Sequence, residues 1–383
     1  MTPYGHGARV GPRRKVGNQA LLTALLVALG AACSSEPVAP ETPGVLGEGT
    51  AGRWATATPG SQGLDAAVLA DLGERTASGE FGAVSSMLVI RNGRLVYERY
   101  HGDWKPADLH RVYSVTKSVT SLLVGVALED GLLPGLDARA LDLLPGYDSI
   151  GNWSPLKEEI TLAHALEMRA GFEWDELSTN YANGTNPTVA LVSSEDWIRH
   201  VLSLPMAGEP GSAFVYNSGV SMLLGEMVAR AAGSSTEALA ETHLFQPLEI
   251  TAWAWDKGPG GITNTGWGLW LSPRDMAAIG QLVLDGGHWE SAPVVPEDWL
   301  DESAIARTQF TDGSGYGYQW WIGRGGGTQE RAVAAWGYGG QFIVVLSDLD
   351  MVMVSTAENY LGGGLDPYRL AEFGYLAAGA AVP

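Results

Sequence analysis

The sequence predicts an α+β fold: an antiparallel sheet built from both chain ends and flanked by helices, with a mostly helical second lobe between them. Three observations carry this expectation. Two β-rich runs meet at Asn92-Gly93, four apolar or alternating runs separated by Gly and Asp lie between Tyr316 and Thr356, and the stretch between reads largely as helix. Of the 383 residues, 45% are hydrophobic and 17% charged, a balance that suits a globular core.

The chain opens on a targeting pattern. Arg9, Arg13, Arg14 and Lys15 form a basic segment, and Ala20 to Leu29 is an apolar run too short to span a bilayer as a helix. Leu29-Gly30-Ala31-Ala32-Cys33 follows, and Cys33, the single cysteine, stands where a lipoprotein signal peptide carries its lipidated residue. Leu29 lies one position further from the cysteine than that pattern usually has it, and Arg13-Arg14 lacks the apolar pair of a twin-arginine signal. The expectation is a signal peptide over 1–33, export, and a lipid anchor at Cys33 as the chain's one contact with the cell-envelope membrane. Residues 34–57, rich in Pro, Gly, Glu and Thr up to Arg53, read as a flexible linker, and 58–383 as the folded domain.

Within that domain, Ser86–Ile90 and Leu95–Tyr100 read as a hairpin. A helix is expected from Ser114 to about Glu129, stopped by Asp130-Gly131 with Pro134 beyond. Asp137 to Ala232 is mostly helical, broken by Pro145, Pro155, Pro187, Pro205 and Pro210, and it ends in a helix over Met222–Ala232 capped at Gly233. Pro273–Asp285 is another helix, turned by Gly286-Gly287. Tyr316–Gly323, Ala332–Trp336, Phe342–Ser347 and Met351–Thr356 read as strands, and Leu365–Ala378 as a closing helix. With one cysteine no disulfide can form within the chain, so packing must supply the stability. A net charge of −20 argues against a nucleic-acid partner and a basic membrane-surface patch.

The most informative short pattern is Ser114-Val115-Thr116-Lys117. It sets a hydroxyl and an amine one helical turn apart at the head of an apolar helix. Val115, Val119, Leu122, Leu123 and Val126 should carry Lys117 into a packed interior, where burial favours the neutral amine. Such a lysine beside a serine at a helix N-terminus is the makings of an activated nucleophile. The same spacing recurs at Ser154-Pro155-Leu156-Lys157, where Ser before Pro suits a helix cap and Lys157-Glu158-Glu159 reads as a solvated charged turn. The seven histidines show no metal-ligand spacing, and neither H-E-x-x-H nor G-x-S-x-G occurs. A zinc hydrolase and a Ser-His-Asp enzyme are therefore disfavoured, and no cofactor is expected.

Two further segments join the first. Phe214-Val215-Tyr216-Asn217-Ser218-Gly219 precedes a helix, and Gly337-Tyr338-Gly339-Gly340-Gln341 leads into a strand. In this order and context the three segments resemble the serine β-lactamase and penicillin-binding protein superfamily, in particular the branch of class C-like esterases and 6-aminohexanoate-dimer hydrolases. The likeness covers roughly residues 60 to 380 and includes the connecting text Ile160–Trp174, Leu271–Met276 and Tyr316–Trp321.

What the resemblance implies is a β-lactamase/transpeptidase-like fold and a small-molecule ester or amide substrate. Ser114 would attack the acyl carbonyl. Lys117, neutral or sharing a proton, and Tyr216, its phenol made more acidic by the lysine, would move protons. The N–H groups of Ser114 and Gln341 would form the oxyanion hole beside Gly339 and Gly340. The chain departs from the family twice. Tyr216-Asn217-Ser218 stands for Tyr-x-Asn, so either Ser218 replaces the asparagine or Asn217 reaches in. Tyr338 stands where Lys or His usually begins the third motif, which argues against a carboxylated substrate unless Arg324 or Arg331 folds over the site. A DD-peptidase or β-lactamase, and a penicillin-receptor-like sensor that acylates and stalls, remain alternatives. Most of the 14 tryptophans are expected in the core, one or two lining an acyl pocket, and Asp175, Glu176 and Tyr181 are expected to be solvated loop residues.

Overall fold

The computed structural model describes residues 43–147, 149–324, 331–360 and 379–381. The expected signal peptide, Cys33, residues 34–42 of the expected linker and the expected Leu365–Ala378 helix lie outside them.

Among the described residues the main sheet has ten strands: β1 (Gly49–Ala51), β2 (Trp54–Thr56), β3 (Val84–Arg91), β4 (Arg94–Tyr100), β5 (Thr308–Gln309), β6 (Gly315–Tyr316), β7 (Trp321–Arg324), β8 (Arg331–Gly337), β9 (Gln341–Leu346) and β10 (Met351–Ala357). Their order is β1-β2-β4-β3-β10-β9-β8-β7-β6-β5, so the N-terminal hairpin pairs with the last strand of the C-terminal run. Asn92 and Gly93 both take positive φ, 51° and 68°, the pair of values a tight hairpin turn with matching twist demands. At the seam β3 pairs antiparallel with β10, and the Ser86 and Thr356 hydroxyls lie 2.6 Å apart across it.

Alternation along β10 explains why this seam sits at the centre. Val352 and Val354 join the core on one face, and Met351 and Met353 join a second cluster on the other. A strand apolar on both faces needs a cover on each. Helix α1 (Ala66–Ala77) packs Leu69 and Leu72 into the second cluster; α4 (Pro273–Leu284), started by a Ser272 cap, lies on the first face against β3, β9 and β10. Helix α2 (Val115–Glu129) is buried at every residue from Val115 to Ala127. It packs against β8 and β9 on one side and α3 (Ser218–Ala232) on the other. A helix enclosed in this way carries its polar residues inside, and its N-terminus opens where the sheet meets the helical lobe.

Four expectations are corrected. The linker is shorter than 34–57, because Trp54, Thr56 and Ala57 are buried and residues 49–56 add β1 and β2 to the sheet edge. The sheet is not wholly antiparallel, since β2 meets β4 in parallel at Thr56 and Leu95. The run Tyr316–Gly323 is two short strands around a turn in which Gln319 has φ 64°. Helix α3 begins four residues before Met222, because the Asn217 side chain caps it by accepting from the Val220 N–H at 3.1 Å. Among the described elements without a counterpart in the sequence reading are α1, the helix Glu297–Ser303 and the small sheet of His110–Arg111, Leu269–Leu271 and Ala254–Trp255.

Candidate active site

Ser114 occupies the N-cap position of α2, but its side chain makes no capping hydrogen bond and is left for other work. The turn before it is fixed from two sides. Val112 N–H donates to the Leu269 carbonyl at 2.9 Å, and Leu269 N–H donates to Thr116 Oγ1 at 3.1 Å. Tyr113 is held at φ 47°, a conformation a bulky residue adopts only when its surroundings impose it.

One turn on, Lys117 is 1% exposed. Its Nζ lies 3.0 Å from Ser114 Oγ, 2.9 Å from Ser218 Oγ and 2.7 Å from the Gly266 carbonyl. Burial pulls the lysine down to about 8, with the Glu176 charge acting the other way. Near neutrality the amine is thus within reach of the uncharged state. Residue 266 is glycine, and the space beside it is tight. A Cβ there would stand 3.0 Å from Met222 Cε and 3.1 Å from the Ser218 carbonyl.

Tyr216 is buried between Tyr316 and Trp321, the latter stacked on it with centroids 5.8 Å apart, and Lys117 Nζ lies 5.0 Å from its ring centre. Its phenol is pushed well above the ordinary range, by burial first and by the Glu176 charge second, while a hydrogen bond with Ser114 acts in the opposite direction. This corrects the expectation of a phenol made more acidic by the lysine: desolvation of the phenolate outweighs any nearby positive charge, so Tyr216 keeps its proton.

The two candidates at the second motif make different bonds. Asn217 is spent as the α3 cap, whereas Ser218 bonds to Lys117. In the third motif, Gly337 and Gln341 pair at the β8–β9 hairpin, and Gly339 and Gly340 turn it with φ 81° and 106°. A Cβ on Gly337 would fall 2.2 Å from the Val112 carbonyl, so glycine lets this hairpin press against the loop that leads to Ser114. The Gln341 side chain turns away to the carbonyls of Ala357 and Tyr338. Tyr338 joins Tyr113, Tyr181 and Tyr360 in a half-buried rim of four phenols beside Ser114. Tyr338 stands 5.0 Å from Tyr181, 5.8 Å from Tyr113 and 6.2 Å from Tyr360, centre to centre. Arg331 does not fold over this site. It starts β8 at the end opposite Gly337 and donates to the Ala304 carbonyl, while the Arg324 side chain lies outside the described residues.

Sequence reasoning missed two groups of this cluster, the Gly266 carbonyl and the Glu176 carboxylate. Glu176 is not solvated but 1% exposed. Its Oε2 accepts from Trp174 Nε1 and Ser218 N–H, both at 2.7 Å, and its Oε1 from Ser218 Oγ at 2.7 Å and the Tyr181 hydroxyl at 2.9 Å. Asn186 Nδ2 donates to its backbone carbonyl at 3.0 Å and to that of Thr179 at 3.1 Å, stapling the loop. Asp175 does remain on the surface, bonding Ser178. The signal that could have found Glu176 was its place two residues after Trp174 and five before Tyr181, two side chains with one donor each to satisfy.

With this geometry in hand, comparison with known proteins gives a consistent picture. The family model described as Beta-lactamase matches residues 73–365. A 6-aminohexanoate-dimer hydrolase of Paenarthrobacter ureafaciens is 24% identical over 294 residues, covering 70% of this chain and 71% of that protein. Among solved structures, the octameric penicillin-binding protein homologue from Pyrococcus abyssi superposes with a TM-score of 0.66 at 18% identity, covering 84% of this chain and 78% of that one. A family VIII carboxylesterase superposes with a TM-score of 0.63 at 17% identity, covering 81% and 97% respectively.

Proposed function

Since the chain belongs to the beta-lactamase family, we propose that it is a serine hydrolase that cleaves an uncharged ester or amide through an acyl-enzyme on Ser114. The observation that carries this reading is the buried amine of Lys117, drawn down to about 8 and lying 3.0 Å from the Ser114 hydroxyl. A neutral lysine there takes the serine proton as Oγ bonds to the acyl carbon. Tyr216, which keeps its proton, gives it to the leaving oxygen or nitrogen, and the Lys117 ammonium restores it. Water then attacks the acyl-serine with the same groups working in reverse. The N–H groups of Ser114 and Gln341 are the donors proposed for the carbonyl oxygen.

The substrate class follows from the rim. Four phenols offer apolar faces and neutral hydrogen bonds where a cation would be needed to hold a carboxylate. Mapping the residue labelled by a fluorophosphonate probe tests the nucleophile directly; a label anywhere but Ser114 would overturn this reading. Export with a lipid on Cys33 is proposed from the sequence of residues 9–33, and loss of palmitate incorporation in Cys33→Ala is its test.

A further inference from the structure

Glu176 lies outside the three motifs, and the acyl transfer just described makes no use of it. Yet its carboxylate is buried one hydroxyl away from Lys117. All four of its side-chain partners donate, so both oxygens act only as acceptors, the pattern of an ionised carboxylate. Two of those donors belong to Ser218, whose backbone N–H opens α3, so the helix terminus adds its own attraction for the negative charge.

The consequence runs through Ser218. A serine hydroxyl has one proton, and here it is committed to Glu176 Oε1 at 2.7 Å. Ser218 Oγ can therefore only accept from Lys117. The Gly266 carbonyl has no proton to give. Of the three groups around Nζ, Ser114 alone can reverse its bond and donate once the ammonium has lost a proton. We infer that Glu176 is a positioning residue that, through Ser218, fixes the two N–H donations of neutral Lys117 and so aims its lone pair at the Ser114 hydroxyl. This inference rests on the reading of Ser114 and Lys117 as nucleophile and base.

The surroundings of Lys117 support it. Ser114 faces the amine from its own helix, Tyr216 and Ser218 from the start of α3, Gly266 from the turn before Leu269, and Glu176 from behind Ser218. Glu176 is the charged group that opposes the effect of burial on the lysine. The same carboxylate seats the Tyr181 hydroxyl, and through it the ring that packs on Tyr338. Amine and phenol rim are thus ordered by one group.

Glu176→Gln tests the assignment with almost no change of shape. A glutamine amide has two donors and a single acceptor oxygen, so it cannot receive all four bonds, and the Ser218 proton is freed to turn toward Lys117. With p-nitrophenyl butyrate, kcat should fall roughly 10- to 100-fold, the cost of misaiming a reacting group. The acid limb of kcat/KM, set by Lys117, should move to lower pH by about one unit, because the lysine loses its opposite charge. A merely structural Glu176 would lower Tm and leave that limb in place, and an unchanged limb with parental kcat in folded Glu176→Gln overturns the inference. Should circular dichroism show that this variant does not fold, Ser218→Ala decides instead. It removes the relay and keeps the carboxylate, and parental kcat there is equally fatal. Failure of the underlying reading is separate, since it appears as probe labelling retained in Ser114→Ala, whatever Glu176→Gln does.

Discussion

Lys117 and Lys157 are equally buried, at 1% and 0% exposure, and differ in what their amines hold. Both follow a serine by three residues. Lys117 reaches two hydroxyls and a carbonyl; Lys157 reaches the carbonyls of Gly151 and Leu202, at 3.1 and 2.7 Å. The second copy of the pattern is therefore not the solvated turn its sequence suggests. Burial pushes both lysines down from their ordinary value. Carbonyls can only accept, so Lys157 has no proton to collect from its partners, and its role is to tie two loop carbonyls together. Hydroxyls at hydrogen-bond distance set the surroundings of Lys117 apart from those of Lys157.

That contrast gives the first prediction. Ser114→Ala should abolish ester turnover and probe labelling with circular dichroism unchanged. Ser154→Ala removes a cap that accepts from Leu156 N–H, so it should cost about 1 kcal/mol of stability and leave turnover intact. Turnover and labelling assays beside a urea titration check both.

The second concerns pH. If neutral Lys117 is the base, kcat/KM rises with pH and levels off above about 8. Lys117→Arg should be inactive at every pH, since a guanidinium keeps its proton. The sign for stability follows the same shift. A folded-state value below the unfolded 10.5 means the unfolded chain binds more protons between about 8 and 10.5, so this group's contribution makes the protein more stable as pH rises through that window. Lys117→Met should lack that component of the rise, which paired urea titrations at pH 7.5 and 10 would reveal.

Tyr216→Phe removes one oxygen from a ring held by Tyr316 and Trp321, so the fold should survive. Activity should drop roughly 10²–10⁴-fold, the worth of a positioned proton donor. Because the phenol stays protonated, the loss should fall harder on amides, whose leaving nitrogen needs the proton, than on p-nitrophenyl esters. Equal losses on both would contradict a leaving-group role.

The last prediction is about substrate. Tyr338 sits among three other phenols, so specificity constants for p-nitrophenyl acetate or butyrate should exceed those for cephalosporins and D-Ala-D-Ala peptides. Tyr338→Lys should narrow the gap by improving the carboxylated ligands selectively. A parent enzyme that already prefers cephalosporins would contradict the argument from the rim.

Features written in local periodicity were legible in the sequence. The Asn92-Gly93 hairpin, the span of α2, the Gly233 stop and the last three C-terminal strands each announce themselves in local sequence. What stayed hidden depends on distant partners. Trp174-Asp175-Glu176 reads as a polar loop until Ser218, forty-two residues later, supplies two of the four side-chain hydrogen bonds that bury its carboxylate. Gly266 gives no chemical signal at all, because its contribution is a backbone carbonyl 149 positions from Lys117. The Tyr216 phenol was misjudged for the same reason: the lysine was visible one motif away, the desolvating rings of Tyr316 and Trp321 were not.

The seam between β3 and β10 also sets a timetable. Ser86 and Thr356 touch across 270 positions of sequence, so the inner edge of the hairpin has no partner until nearly the whole chain has been made. At ordinary rates of synthesis that interval is on the order of tens of seconds. Helix α2 can coil early, yet β8 and β9, the strands it leans on, arrive only with the C-terminal run, and so does the hairpin that presses on Val112. Long-range pairing of this kind folds slowly, and it leaves the surroundings of Ser114 incomplete in any chain not yet extended through β10.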